Sequence, residues 1–158
     1  MFMRRPVNNR NIVGKDIKYG SERLEKFINT IMWSGKKNTA RAIVYGALDV
    51  IKEKEKVEDP MEVFDAALKN AGPLVEVRSR RIGGANYQVP REVRNERRIA
   101  LAMRWIIESA RSRKGVTTKV ALADELIQAS KGEGNAVKKK KDTHKMAEAN
   151  KAFAHFAW

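Results

Sequence analysis

Residues 73–113 read PLVEVRSRRIGGANYQVPREVRNERRIALAMRWIIESARSR, and this stretch predicts a β-hairpin followed by a helix. Two short β-prone runs, at 74–77 and 87–89, are expected to form the strands. The Gly83-Gly84 pair between them supplies the positive φ angles that a tight hairpin turn requires. The pattern switches to helical spacing immediately after Pro90, so we expect the helix to begin there.

The first predicted strand is strongly basic. Arg78, Arg80 and Arg81 extend it with almost no apolar partners. A hairpin without an apolar face does not offset the entropy lost on ordering. We therefore expect an anionic partner outside the chain to order the hairpin tip.

The predicted helix also begins with an unfavourable charge. Arg94, Arg97 and Arg98 crowd its first turns. Cations at a helix N-terminus oppose the macrodipole at a cost of a few tenths to about 1 kcal/mol each. This arrangement favours a phosphate partner, since phosphate is bound both by arginine and by helix N-termini.

Composition narrows the class of protein. The 158 residues are 42% hydrophobic and carry a formal net charge of +14, with a pI of about 10.2. So strong a basic excess favours a nucleic-acid partner, or less often an acidic membrane surface. The chain has no cysteine, as is typical of a reducing compartment. We expect a cytoplasmic protein, because the opening lacks a secretion signal and no apolar run is long enough to cross a membrane.

Periodic apolar stripes before and after the hairpin predict the rest of the fold. Ser21, Thr39 and Asp59 are the expected N-caps of the first three helices, and Pro60 fits the first position of the third. The predicted fold is mainly α, a six-helix domain with a protruding β-hairpin arm between the third and fourth helices. We expect one domain, 1–158, with three basic extensions: an N-terminal arm (1–19), the hairpin arm (73–90) and a C-terminal helix and tail (135–158).

The sequence does not favour catalysis. His144 and His155 lack metal-ligand spacing, and the glycine-containing segments at 132–137 and 34–37 are incomplete as phosphate-binding loops. We therefore predict no enzyme activity, no metal and no cofactor. Charge alone indicates nucleic acid without saying which kind, and it leaves three alternatives open: a structural RNA-binding protein, a DNA- or mRNA-binding regulator, and an enzyme that acts on nucleic acid.

Aromatic residues near the basic clusters have two interpretations. Tyr87 and the terminal aromatics could stack on unpaired bases, although Tyr87 fits packing against the hairpin base equally well. Trp105 falls among the apolar positions of the fourth helix, which favours a role in packing.

Four long motifs resemble the bacterial S-seven (universal uS-seven) family of small-subunit ribosomal proteins. They are YGSERLEKFINTIMWSGKKNTARAIVY (19–45), PLVEVRSRRIGGANYQVPREVR (73–94), ALAMRWIIESAR (100–111) and NAVKKKKDTHKMAEANKAFAH (135–155). The resemblance implies the same helical fold with its hairpin arm. It also implies a primary binder of small-subunit rRNA that nucleates assembly of the head, the 3′ major domain. Such a protein lies near exit-site tRNA and mRNA, beside the neighbouring S-eleven protein, and some members repress translation of their own operon.

The resemblance and the basic clusters together give the expected site residues. Those expected to bind rRNA are Arg4, Arg5, Arg10, Lys18, Lys36, Lys37, Arg78, Arg80, Arg94, Arg97, Arg98, Arg111, Arg113 and Lys114. Those expected on the side of tRNA and the neighbouring protein are Ile82, Gly83, Gly84, Ala85, Asn86, Lys138, Lys139 and Lys145.

Overall fold

The computed structural model describes residues 13–156, so the predicted contacts of Arg4, Arg5 and Arg10 lie outside the described residues. The elements follow in the order α1 (Glu22–Ile31), α2 (Lys37–Glu55), α3 (Pro60–Ala71), β1 (Val75–Ile82), β2 (Ala85–Glu92), α4 (Asn95–Ser112), α5 (Thr118–Ser130), α6 (Gly134–Ala149) and a 3-10 helix (Lys151–Phe156). The prediction of a mainly α fold with a hairpin between the third and fourth helices is confirmed.

Two of the three predicted N-caps are confirmed. Ser21 Oγ accepts from the Leu24 N–H at 3.4 Å, and Asp59 accepts from the Met61 N–H at 2.9 Å. The prediction for Thr39 is wrong, because α2 already begins at Lys37. A closed turn before α2 explains the early start, since the Lys36 N–H donates to the Trp33 carbonyl at 3.0 Å.

The core forms around α5, which packs against α2, α3, α4 and α6. Leu122 and Leu126 of α5 are each 1% exposed. On the other side of the core, the rings of Phe27 and Phe64 meet edge to face with centroids 5.2 Å apart. The apolar stripes predicted from sequence therefore converge on one continuous core.

Two buried carboxylates fix segments that hydrophobic spacing does not position. Glu125, with none of its surface exposed, accepts from the Ala136 N–H in the first turn of α6 at 2.9 Å. Asp16, just before α1, accepts from the Tyr45 hydroxyl of α2 at 2.6 Å. Burial alone would raise the pKa of Asp16, but this bond and bonds from nearby backbone N–H groups outweigh it and lower the pKa. Burial and the same bond to Asp16 raise the pKa of Tyr45 to about 12.

The hairpin is longer than predicted. Its strands pair from Val75 opposite Glu92 to Ile82 opposite Ala85, so the arginine-rich segment is also part of the ladder. The predicted turn is confirmed, because Gly83-Gly84 closes the hairpin with φ angles of 57° and 91°. Since β2 continues to Glu92, the expectation that α4 begins directly after Pro90 is wrong.

The hairpin has apolar partners within the chain, contrary to the sequence-based expectation. Val89 is 2% exposed. The Tyr87 ring lies 5.1 Å from that of Phe153 and 6.0 Å from that of Phe156, so the 3-10 helix covers β2. Tyr87 thus packs within the chain, but its partners are the rings of the 3-10 helix and not the hairpin base that one of the two alternatives named. The need for an outside partner to order the tip stays a prediction.

Candidate nucleic-acid interface

The hairpin root and the start of α4 bring several arginines together. Arg97 Nε donates to Glu76 Oε2 of β1 at 2.7 Å, and Arg91 Nε lies 3.9 Å from Glu76 Oε1. Together with Arg78, these side chains line a cavity of about 260 Å³. The largely buried Glu76 carboxylate therefore holds two guanidinium groups beside a third, and the more exposed Arg91 and Arg97 leave donors that a phosphate can reach.

Arg94 and Arg98 extend this arrangement along α4. Arg94 is the exposed N-cap residue of the helix and makes no side-chain cap bond. Arg98 is half-buried, and its Nη2 donates to the Lys69 carbonyl at the end of α3 at 3.3 Å. We call Arg78, Arg91, Arg94, Arg97 and Arg98 the root patch.

Helix α6 adds lysines next to the root patch. Lys140 Nζ donates to the Asn70 carbonyl at 2.8 Å, and burial followed by the charges of Arg98 and Lys141 lowers the pKa of Lys140. Lys139 Nζ lies 2.6 Å from Glu108 Oε2.

Two more of the expected lysines stand free on α6. Lys138 and Lys145 are exposed, and neither has a carboxylate within 4.0 Å among residues 13–156. They are therefore open to an outside partner.

His144 ties α6 to the hairpin root. Its Nε2 accepts from the Leu74 N–H at 3.0 Å, which requires a neutral imidazole. Burial lowers the pKa of His144, and the charges of Lys140 and Arg98 lower it further. The neutral form that this bond needs is thus the form that the surroundings favour.

A second cationic region lies at the turn between α1 and α2. Lys36 is exposed, Lys37 is ion-paired with the buried Glu25, and Arg111 from the end of α4 donates through Nη2 to the Ile31 carbonyl at 3.0 Å. We call Lys36, Lys37 and Arg111 the turn patch. Since α4 has 18 residues, the turn patch and the root patch lie about 25 Å apart along this helix.

Three further predicted rRNA-binding residues differ in how far they are already engaged. Arg113 Nη2 lies 3.2 Å from Glu125 and 2.8 Å from Gln128, so its guanidinium joins the end of α4 to α5. Lys18 Nζ is paired with Asp49 at 3.2 Å, and this hydrogen bond raises the pKa of Lys18. Lys114 is exposed in the loop that precedes α5.

The hairpin tip is the most projecting of the predicted surfaces. Gly83, Gly84, Ala85 and Asn86 are exposed, and Ile82 is half-buried. Behind the tip, Arg80 Nη1 donates to the Phe156 carbonyl at 3.3 Å. Arg80 therefore also holds the 3-10 helix against the hairpin.

Sequence reasoning missed three residues of this surface. Arg91 was overlooked because it falls between the predicted strand and the predicted helix, although its charge in a basic stretch was a usable signal. Glu76 gave no signal, since its partners come from β2 and α4. Trp33 lies just beyond the apolar stripe of α1, and its position outside that stripe could have indicated that it is exposed.

Within residues 13–156, no group of three histidine, aspartate or glutamate residues is arranged to hold a metal ion. Over the same residues, no helix is both long and apolar enough to cross a membrane. The arrangement consists of guanidinium and ammonium groups on an irregular surface, which suits binding of phosphates.

Comparison with known proteins gives a consistent result. The family described as Ribosomal protein S7p/S5e matches residues 3–151. A small ribosomal subunit protein uS7 of Thermotoga petrophila is 57% identical over 146 residues, which cover 92% of this chain and 94% of that protein. The uS7 protein of Nitrosococcus oceani is 57% identical over 98% of this chain and 99% of its own length. That of Methylobacterium radiotolerans is 54% identical over the full length of both chains.

Proposed function

The chain belongs to the Ribosomal protein S7p/S5e family and is a structural protein of the small ribosomal subunit, and from this premise we propose that it binds small-subunit rRNA directly and nucleates assembly of the head, the 3′ major domain. The observation that carries the proposal is the pair of cationic patches at the two ends of α4. Two separated patches suit an RNA fold in which helices converge, because each can neutralise a different strand.

The exposure of the root patch supports phosphate binding. The Arg97 side chain is 58% exposed, so a phosphate can reach its guanidinium while Glu76, which is only 15% exposed, stays in place. A guanidinium has five N–H donors, so donors of Arg97 remain for that phosphate. Arg94 has no carboxylate within 4.0 Å among the described residues.

A titration against the isolated head-domain rRNA, with duplex DNA as competitor, tests this proposal. The test variant combines Arg94→Ala, Arg97→Ala and Arg98→Ala. A control variant with Lys26→Ala, Lys52→Ala and Lys54→Ala loses the same charge outside the expected sites.

Log K falls as log salt rises. Loss of three phosphate contacts should make this negative slope shallower by about 2–3 in the test variant only. Equal losses in both variants, or equal affinity for DNA and rRNA, would reduce the activity to general polyanion binding. That result would contradict the proposal.

We further propose that the hairpin tip and the exposed lysines of α6 face exit-site tRNA and the neighbouring S-eleven protein, with mRNA nearby. The exposed tip and its projection from the core support this. Because the chain has no cysteine, Asn86→Cys gives a single attachment point for a cross-linker in reconstituted subunits. We expect products with tRNA or S-eleven from Asn86→Cys and not from Lys52→Cys. Identical products from both positions would refute this orientation.

We also propose that the same surface represses translation of the chain's own operon by binding its mRNA. The support is that the cationic groups of the root patch suit the phosphates of a folded RNA of either origin. Excess wild-type protein should then lower expression of a reporter that carries the operon leader. The triple arginine variant should have lost this effect, and equal repression by both proteins would exclude the root patch.

A further inference from the structure

Trp33 is a large apolar side chain that is mostly exposed to solvent. It lies two residues beyond Ile31, the last residue of α1, and 73% of its surface is exposed. The turn that carries it is fixed, since Ser34 and Gly35 have φ angles of 50° and 72° and the Lys36 N–H closes the turn on the Trp33 carbonyl. The indole is therefore held out from the core by an ordered turn.

The surroundings of Trp33 are cationic and apolar. A cavity of about 220 Å³ beside it has Ile31, Ala40 and Ile43 as its apolar wall, and Lys36 and Arg111 as its charged groups. The described residues that line this cavity include no carboxylate. A ligand that fits has a flat apolar part and a negative charge.

Arg111 is already positioned for such a ligand. Its guanidinium carbon lies 5.5 Å from the centroid of the Trp33 ring, and its Nη2 is held by the Ile31 carbonyl. A guanidinium has five N–H donors, so donors remain for a phosphate. Because most of Trp33 stays exposed despite this neighbour, a face of the indole is open.

We propose that Trp33, Arg111 and Lys36 form a stacking site for one unpaired nucleotide of RNA. The base stacks on the open face of Trp33, while Arg111 and Lys36 bind the adjoining phosphates. A paired base does not expose its face, so the site selects single-stranded nucleotides in loops or bulges. An acidic peptide would engage the cations but leave the indole unused, which favours the nucleotide.

This inference rests on the proposed rRNA binding and is tested on the same intact chain and head-domain rRNA. Trp33→Leu keeps an apolar side chain without an aromatic face, and Trp33→Phe keeps a smaller aromatic face. We expect Trp33→Leu to weaken binding about 10-fold and Trp33→Phe to recover most of that loss. The salt slope should stay unchanged in both variants, since no charge is removed.

Fluorine NMR of protein labelled with 5-fluorotryptophan gives an independent readout. The Trp33 signal, assigned by its disappearance in Trp33→Phe, should shift when rRNA is added and stay in place with duplex DNA. A shift caused by a neighbouring ribosomal protein alone would overturn the nucleotide site in favour of a protein contact.

The outcomes separate this inference from the proposed function. If Trp33→Leu binds like the wild type while the triple arginine variant is weakened, the stacking site is refuted and rRNA binding stands. If Trp33→Leu and Trp33→Phe weaken binding equally and no fluorine shift occurs, Trp33 has only a packing role. If the wild-type chain fails to bind the rRNA, both proposals fall.

Discussion

Replacing Glu125 with alanine should destabilise the fold strongly, because its buried carboxylate has partners in two different elements. Its Oε1 accepts from the Ala136 N–H at 2.9 Å, and its Oε2 lies 3.2 Å from Arg113 Nη2. The carboxylate has none of its surface exposed, so its loss leaves the Ala136 N–H buried without a partner. It therefore caps α6 from α5 and fixes Arg113 at the same time.

The magnitude follows from the two partners that lose Glu125. A hydrogen bond to a charged group contributes about 1.5–3 kcal/mol, and removal of one partner of a buried ion pair costs about 3–5 kcal/mol. Arg113 is 26% exposed and keeps Asp124 at 3.5 Å, so the second value is reduced. We expect Glu125→Ala to lower the free energy of unfolding by about 3–4 kcal/mol in all.

Urea denaturation followed by circular dichroism measures this loss. For a chain of this length, it corresponds to a fall in Tm of about 6–16 °C. Glu133→Ala is the matched control, because Glu133 is exposed at the same end of α6 and makes no side-chain cap bond. The control should change stability by less than about 0.5 kcal/mol. A cost for Glu125→Ala within 1 kcal/mol of this control would contradict the stabilising role of the Glu125 carboxylate.

Three other outcomes follow from the geometry of the hairpin root. A Cβ at Gly72 would lie 2.8 Å from Arg98 Cγ, so Gly72→Ala should displace this arginine and weaken rRNA binding about as much as Arg98→Ala; wild-type affinity would contradict this. Burial and then neighbouring cations lower the pKa of His144 in the folded chain. As pH falls towards and below 6.5, the unfolded chain therefore binds more protons at His144 than the folded chain, which destabilises the fold. Wild-type stability should therefore fall relative to His144→Gln between pH 7.5 and 5 in urea titrations, and a constant difference would refute the link to Leu74. Backbone amides of the tip, residues 82–86, should exchange rapidly in the free protein and slowly with rRNA bound, whereas protection in the free protein equal to that of α4 would count against a mobile tip.

The parts of the fold that sequence predicted are those set by neighbours along the chain. The start of α3 is an example, because Asp59 and Pro60 provide the cap and the first helical position locally. The start of α2 was missed, since it depends on a turn in which the non-glycine residue Ser34 has a positive φ. The extent of the hairpin was underestimated because an arginine-rich segment has no strand signature by itself.

Sequence predicted which basic residues form the candidate site but not which groups they contact. The positions of Arg94, Arg97 and Arg98 at the start of α4 followed from sequence. Their partners did not, since the Glu76 carboxylate and the Lys69 carbonyl reach them from distant elements. The 3-10 helix covers Tyr87 through contacts between residues more than 60 positions apart. The spacing of apolar residues along the sequence does not reveal such contacts.

The length of the hairpin gives its root a mechanical role. Strands of eight residues, at about 3.3 Å per residue, make an arm of about 26 Å. On such a lever, a rotation of about 5° at the root moves the tip by about 2 Å, close to the tolerance of a hydrogen bond. The bonds of His144 to Leu74 and of Arg97 to Glu76 thus set the direction in which the tip points. Substitutions at these root residues should widen the range of positions that the tip occupies, although no residue of the tip itself is changed.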